Sequence, residues 1–473
     1  MSKETRWFKS TLKMVAESSP ETAEQILDEL ESQRRKIKLI ASENYNSLPV
    51  LAAASALTMD KYSEGCLEQQ PDGTYKSKRY YAGCERTDKI EALAMDYAKK
   101  LFGVKYAFVQ PSSGSDANLI AYCALKKFLN LNRKPRLLSM SVDCGGHLTH
   151  SNPLNVVNEL FDVYTYGVDD EGWIDYEVVR KIAEETDPDI ILVGYSAYPR
   201  KIDFERFREI ADEVKALLMC DMAHFAGLVA GKVFTDKYNP IPYCDIITST
   251  TQKTLRSGRG GLILTNRSDI IELVNKACPM AHGGPLNNMI ASKAVGFKEA
   301  LSPEFEEYAR QTVFNAQAMA DTFKHLGAKV LTDGTDNHML ILDTYTSYGL
   351  TGRQAEQVLE DCRIIVNRQT IPNDKNGAWY TSGVRIGPAA ITTLGMNTEQ
   401  ASYIAELIDY VLRHTTGEGK AKYKIDYDDM DKILEKVEML LLGKKFRLYP
   451  KINTNRLRKM IRRQYGRQIK NRS

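Results

Sequence analysis

The stretch Thr248 to Gly261, Thr-Ser-Thr-Thr-Gln-Lys-Thr-Leu-Arg-Ser-Gly-Arg-Gly-Gly, carries the strongest chemical signal in this chain. The β-branched run Ile246-Ile247-Thr248 reads as a buried strand. Lys253 follows it among hydroxyl and amide groups, before a flexible turn and a second apolar run, Leu262 to Leu264. A lysine at a strand end, ringed by hydroxyl and amide groups, is where a pyridoxal phosphate enzyme would hold its aldehyde as an imine. The structural alternative is a surface lysine in a hairpin. Upstream, the apolar run Ala216 to Cys220 delivers Asp221-Met222-Ala223-His224 at its end. Ligands of open α/β sheets collect beyond the carboxyl ends of strands. An aspartate there can keep a pyridine nitrogen protonated, so that the ring draws electrons from a substrate α-carbon. A strand-end aspartate also caps helices, but Asp and Lys at two strand ends together favour a cofactor.

Other groups could serve the same site. Gln110 to Asn118 follows one strand and opens a helix, so the backbone N–H groups of Ser113-Gly114-Ser115 could cup a phosphate. An ordinary serine N-cap is the alternative. His282-Gly283-Gly284-Pro285 is a second candidate anion nest, or simply a turn. His147, in Cys144-Gly145-Gly146-His147, could lie over a planar ring or be structural. Lys78-Arg79-Tyr80-Tyr81 suits an anion site or an interface patch. Arg385 stands alone in an otherwise apolar strand, where it needs either a substrate carboxylate or a structural acid.

These groups need a scaffold, and the pattern supplies one. Between about 85 and 300, helical patterns alternate with apolar runs at Tyr106–Val109, Arg136–Met140, Ile190–Val193, Ala216–Cys220, Ile246–Thr248 and Leu262–Leu264. That alternation predicts an α/β fold with a large, mostly parallel sheet covered on both faces. Pro303 and a helix from Glu304 to Leu326 lead to a smaller C-terminal α/β domain, with strands at Val330-Leu331, Met339–Leu342 and Ile364–Val366. The predicted division is a helical arm (1–45), a large cofactor-binding domain (46–300), a small domain (301–443) and a basic tail (444–473).

Composition narrows the class. A chain of 473 residues can hold two or three domains. No apolar run is long enough to span a membrane, and the amino terminus lacks the apolar core of a signal peptide. Eight cysteines without a Cys-x-x-Cys pair read as reduced thiols, predicting a cytoplasmic protein. His147 and His150 lack further ligands at zinc spacing, so no metal is expected. The net charge of +3 hides twelve Lys or Arg, and no acid, between Lys444 and Ser473. Such a tail could bind nucleic acid. Leu457, Met460, Ile461, Tyr465 and Ile469 form one helical stripe, which favours a helix docked on the body.

Taken in order, the motifs resemble the serine hydroxymethyltransferase family. The likeness runs from about Ile37 to Arg413. It includes Leu39-Ile40-Ala41-Ser42-Glu43-Asn44, Lys61-Tyr62-Ser63-Glu64-Gly65, Lys78-Arg79-Tyr80-Tyr81, Gly145-Gly146-His147-Leu148-Thr149-His150, Asp221 to Leu228, Lys253-Thr254-Leu255-Arg256 and Gly283-Gly284-Pro285-Leu286. The resemblance implies pyridoxal-phosphate fold type I, like aspartate aminotransferase, and interconversion of L-serine and glycine with tetrahydrofolate. It implies Lys253 as the imine lysine, Asp221 at the pyridine nitrogen, His147 stacked on the ring and His224 by the phenolic oxygen. Ser113, Gly114 and Ser115 would bind the phosphate, with Gly284 from the other subunit. Arg385 would hold the amino-acid carboxylate beside Ser42 and Ser196. Glu64 would be the acid–base group, with Tyr62 and Tyr81 reaching in from the neighbour. Val142, Gly146, Leu148 and Gln369 would lie on the folate side. A homodimer or dimer of dimers follows from a site built across chains.

The chain departs from the family pattern where Gln252 stands for a histidine before the lysine and Gln369 for an asparagine on the folate. About nine extra residues lie within Cys66 to Ser77, next to Glu64 and so near the mouth of the site. Ser112 replaces a histidine, and Ser257-Gly258 replaces Gly-Pro. These departures leave two rivals: a folate-independent β-hydroxy-amino-acid aldolase or transaldolase, and a weak enzyme that binds RNA through its tail.

Overall fold

The structure, a computed structural model, describes residues 3–442 and 445–470; the side chains at 3–5, 277–280, 442 and 465–470 lie outside that description. The apolar runs assemble as one sheet because each is flanked by amphipathic helices able to cover it. Its strands are β1 (Tyr106–Phe108), β2 (Arg136–Met140), β3 (Asp162–Tyr166), β4 (Ile190–Gly194), β5 (Leu217–Asp221), β6 (Ile246–Thr250) and β7 (Gly261–Thr265). The spatial order is β1-β7-β6-β5-β4-β2-β3. β7 runs antiparallel to both neighbours, and the other pairings are parallel. Side chains alternate between two cores. Ile191, Val193, Leu218, Cys220 and Ile247 pack with Phe204 and Phe207, while Ile190, Leu192, Met219 and Ile246 pack with Ile120, Leu125 and Ile270.

β3 carries no clear sequence signal because it is a sheet edge, with Asp162, Tyr164 and Thr165 exposed. Register sets Gly194 beside Asp221 and Asp221 beside Thr248, so the carboxyl ends of β4, β5 and β6 lie together. A second, antiparallel sheet comprises β8 (Leu340–Asp343), β9 (Asn367–Gln369) and β10 (Gly383–Ile386), in the order β8-β10-β9. Val330-Leu331 is not a strand. Val330 makes an isolated bridge to Leu342, and the chain then turns through Thr332 and Asp333 at φ of 58° and 56°, which ends extended pairing.

The arm consists of helices Lys3–Ser18 and Pro20–Arg35 and strand Ile37–Lys38, which pairs in parallel with Ile364–Ile365. The tail helix Thr454–Lys470 lies against it. Leu457 and Ile461 are buried with Leu12, Ala16, Leu27 and Leu30. Arg458 pairs with Asp28 and Glu31, each at 2.6 Å, and Arg462 with Glu24 at 3.1 Å. The side chains of Tyr465 and Ile469, and residues 444 and 471–473, lie outside the described residues. The extra residues after Glu64 form an ordered hairpin, Gly65–Gln69 with Tyr75–Arg79. It is clamped to helix Glu85–Phe102, where the Tyr75 hydroxyl donates to Asp96 (2.6 Å) and Lys99 to Gln69 (3.0 Å). Arg79 is no anion site: it pairs with Asp88 (2.9 Å) and Glu91 (2.5 Å) and donates to the Ser63 and Gly65 carbonyls. The seven described cysteines carry no disulfide. No described helix is long and apolar enough to cross a membrane.

Candidate active site

Asp221 ends β5, paired with the last residue of β4, Gly194, on one side and with Thr248, two residues before the end of β6, on the other. Its Oδ2 accepts from Asn118 Nδ2 at 2.8 Å and lies 3.1 Å from His150 Nε2, while Oδ1 accepts from the Ala223 N–H at 3.0 Å. Burial alone would raise its pKa, but His150 and Asn118 outweigh burial and hold the carboxyl well below the usual range. It is therefore a buried anion at neutral pH. Thr248, its partner on β6, donates to Asn118 at 2.6 Å, so the amide is fixed from both sides.

Lys253 lies in the loop between β6 and β7, as the hairpin reading had it, but it is buried rather than at the surface. Its ammonium donates no hydrogen bond among the described residues. Burial, reinforced by Arg385 and Arg259 and opposed by Asp221, pulls its pKa down to about 8. A buried amine with no partner and a lowered pKa is an available nucleophile. Asn44 holds the loop by donating to the Lys253 carbonyl at 3.0 Å.

The cup borders the same loop. Ser113 caps helix Gly114–Leu129, its hydroxyl accepting from the Asp116 N–H at 3.1 Å. A Cβ on Gly114 would fall 2.6 Å from the Thr250 methyl, and one on Gly261 only 2.2 Å from the Ser113 carbonyl. Glycine is required at both close approaches, which press the helix start against both ends of the Lys253 loop. Ser115 and Gly284 line one cavity of about 540 Å³ with Ser112 and Asp116. Ser112 and His282 both bond to Asp116, at 3.0 and 2.7 Å.

His147 caps the short helix Leu148–Ser151, with Nδ1 2.7 Å from the Thr149 hydroxyl. Burial lowers its pKa to about 4, so the ring is neutral at pH 7. Nitrogens of His147 and His150 and an Asp221 oxygen lie within 4.8 Å of one another, but these groups are already engaged with each other and with Thr149. His224 is buried well below its ordinary pKa, and its Nδ1 lies 3.3 Å from His338 Nε2.

Arg385, central in β10, donates to Asn367 Oδ1 at 3.1 Å and to the backbone carbonyl of Ser196, not to its hydroxyl. Burial lowers its pKa to about 10, which leaves it charged at neutral pH. No carboxylate faces it among the described residues, so the structural-acid alternative fails. Ser42 is brought near by the contact of Gly387 with Ala41. Of the residues expected on the folate side, Gln369 is placed by its neighbour: the Thr370 hydroxyl donates to the Asp143 carbonyl at 3.4 Å. That contact gathers Gln369 with the Val142–Leu148 segment, where Leu148 is exposed. The Gln252 side chain accepts from the Gly260 N–H at 3.4 Å.

Tyr62, Glu64 and Tyr81 do not join this cluster within the chain. Tyr62 and Tyr81 stack edge to face, ring centres 4.7 Å apart, at the surface beside Gly284. No hydrogen bond, ion pair or ring contact among the described residues links these side chains to Lys253, Asp221 or Arg385. The reading from sequence missed Asn118, Thr149, Thr248 and His338 as supports. Asn118 alone carried a usable signal, since it falls one helical turn after Gly114 and hence on the cup side.

A mostly parallel seven-stranded sheet, a buried amine with no hydrogen-bond partner among the described residues, a strand-end carboxylate anion and a helix start pressed against the lysine loop fit pyridoxal phosphate and a fold type I enzyme of that cofactor. The model for the serine hydroxymethyltransferase family matches residues 15–408. The serine hydroxymethyltransferase of Salinispora tropica is 45% identical, covering 95% of this chain and 98% of that protein. Those of Treponema pallidum and Chlamydia abortus are 43% and 41% identical, over 95% of this chain and 82% and 95% of theirs. The chain belongs to the serine hydroxymethyltransferase family. It is a one-carbon transferase that interconverts serine and glycine, with pyridoxal phosphate as cofactor and tetrahydrofolate as co-substrate.

Proposed function

We propose that the serine–glycine interconversion takes place where β5, β6 and β10 converge, on a site completed by a second copy of the chain. When bound, the cofactor supplies an aldehyde for the lysine and a ring that withdraws electrons from the substrate. Lys253 is the amine that holds it. Asp221, kept ionised by His150 and Asn118, retains a proton on the pyridine nitrogen. The Gly114 and Ser115 N–H groups and the Ser113 hydroxyl bind the phosphate. His147 presents a neutral ring face, and His224 bonds the phenolic oxygen. Arg385 binds the amino-acid carboxylate, with Ser42 and Ser196 beside it. Glu64 moves the proton at the substrate hydroxyl, with Tyr62, Tyr81 and Gly284 supplied across the interface. Val142, Gly146, Leu148 and Gln369 line the folate side.

The observation that carries this reading is Arg385, a buried guanidinium without an acid. A charge desolvated without a partner is expensive, and an amino-acid carboxylate would complete it. The surface around Tyr62 supports the second chain: Leu57, Met59 and Leu286 are exposed there together with both tyrosines. The test is glycine formation from L-serine with and without tetrahydrofolate, run beside cleavage of a threonine-like substrate. The reading expects rapid serine turnover only with folate. Serine turnover indifferent to folate would overturn its folate arm, and failure of both substrates would overturn the site.

A further inference from the structure

Lys293, on helix Asn287–Ala300, is among the largest side chains buried outright, and the chemistry above does not use it. Its ammonium donates to three backbone carbonyls, those of Val109, Pro111 (3.1 Å) and Gly261 (3.3 Å). These carbonyls belong to the two segments that frame the site. Val109 to Pro111 runs from β1 into Ser113-Gly114-Ser115, and Gly261 closes the loop that carries Lys253. The two segments also bond directly, Gly261 N–H to the Pro111 carbonyl at 2.8 Å.

Among the described residues no carboxylate pairs with this ammonium. Glu91 and Asp116 are the acids that favour its charged form. Glu91 is already engaged by Arg79 and Gln110, and Asp116 by Ser112 and His282. Burial draws the Lys293 pKa down to about 7, so an anion bound nearby would favour its protonated form. Carbonyl anchoring alone could be done by a neutral donor; a lysine adds positive charge to the base of the cup.

We propose that Lys293 is a positioning residue for the cofactor phosphate, locking the cup against the Lys253 loop and holding a buried positive charge beneath it. The inference rests on the placement of the phosphate at Ser113 to Ser115. It separates two parts of cofactor binding, because the aldehyde is held by Lys253 while the charge of Lys293 acts where the phosphate sits.

The test uses full-length protein stripped of cofactor and titrated with pyridoxal 5′-phosphate and, separately, with pyridoxal, which lacks the phosphate. Binding is followed by the absorbance of the lysine-bound chromophore. Lys293→Met should weaken the phosphorylated ligand about tenfold or more, leaving pyridoxal within about twofold. Gly260→Ala keeps the test sound if Lys293→Met does not fold. Its Cβ would lie 2.9 Å from the Lys293 nitrogen and displace the ammonium without removing it. It should give a smaller loss, again confined to the phosphorylated ligand. Equal losses for both ligands in either variant would mark Lys293 as a general structural brace and overturn the inference. No loss in a folded Lys293→Met would do the same. Wild-type protein that binds neither aldehyde would instead remove the cofactor placement on which the inference rests.

Discussion

Two groups of residues proposed for the site are treated oppositely by this fold. Lys253, Asp221, His224 and Arg385 are at most 9% exposed, and each is oriented by bonds within the chain or by electrostatic coupling to the others. Tyr62 and Tyr81 are 53% and 46% exposed and touch mainly each other and Gly284. The buried group is pre-organised, so its electrostatics exist before substrate arrives. The exposed group has aromatic mass at the surface with nothing above it, as expected of residues that serve another copy. On the proposed reading, the contrast divides the site into a half owned by one chain and a half offered to the next.

The sharpest way to break that division is at its buried end. Lys253→Ala should abolish the borohydride-reducible chromophore and lower turnover about a thousandfold or more; a reducible adduct in that variant would relocate the nucleophile. Arg385→Ala should weaken serine and glycine by about 2–5 kcal/mol, at least about thirtyfold, while cofactor stoichiometry stays intact. Equal amino-acid dissociation constants would show that another group holds the carboxylate. The lowered Lys253 pKa predicts that stripped protein takes up pyridoxal phosphate faster as pH rises towards about 8, instead of 10.5. The sign follows from burial, which disfavours the ammonium, while only the free amine attacks. Below that pKa the uptake rate should climb about tenfold per pH unit, and a flat profile would mean that amine loss is not limiting.

The exposed half invites mixing. Inactive Lys253→Ala and inactive Tyr62→Ala protein, refolded together, should recover about a quarter of wild-type turnover, because half of the dimers would carry one intact site. No recovery, with hybrid dimers present, would place Tyr62 in its own chain's site.

How much could be read from sequence follows the same divide. β2 was legible to the residue because Arg136–Met140 is a run buried on both faces, whereas edge strand β3 shows no period at all. Asp221 and Lys253 stood out because strand ends are local features. The cluster around them did not, because Asn118 meets Asp221 across 103 residues and His224 meets His338 across 114. The hairpin after Glu64 was read as extra length near the mouth, but its direction depended on Tyr75 finding Asp96.

The smallest expected effect lies farthest from the chemistry. Deleting Asn453 to Ser473 should leave turnover unchanged while lowering the melting temperature by several degrees, since Leu457 and Ile461 would leave their core. Lost turnover at a temperature where the truncated protein is folded would give the tail a role at the site.

That tail has a consequence for how the molecule comes into being. Glu31 and Arg458 are 427 residues apart in the chain. During synthesis the first helices emerge with Leu27 and Leu30 uncovered, and their partners follow only about 20–85 s later at ordinary translation rates. Throughout that interval the arm is an adhesive surface awaiting the far end of its own polypeptide. Its closure is therefore a late event in maturation, and a polypeptide interrupted before residue 458 keeps that surface open.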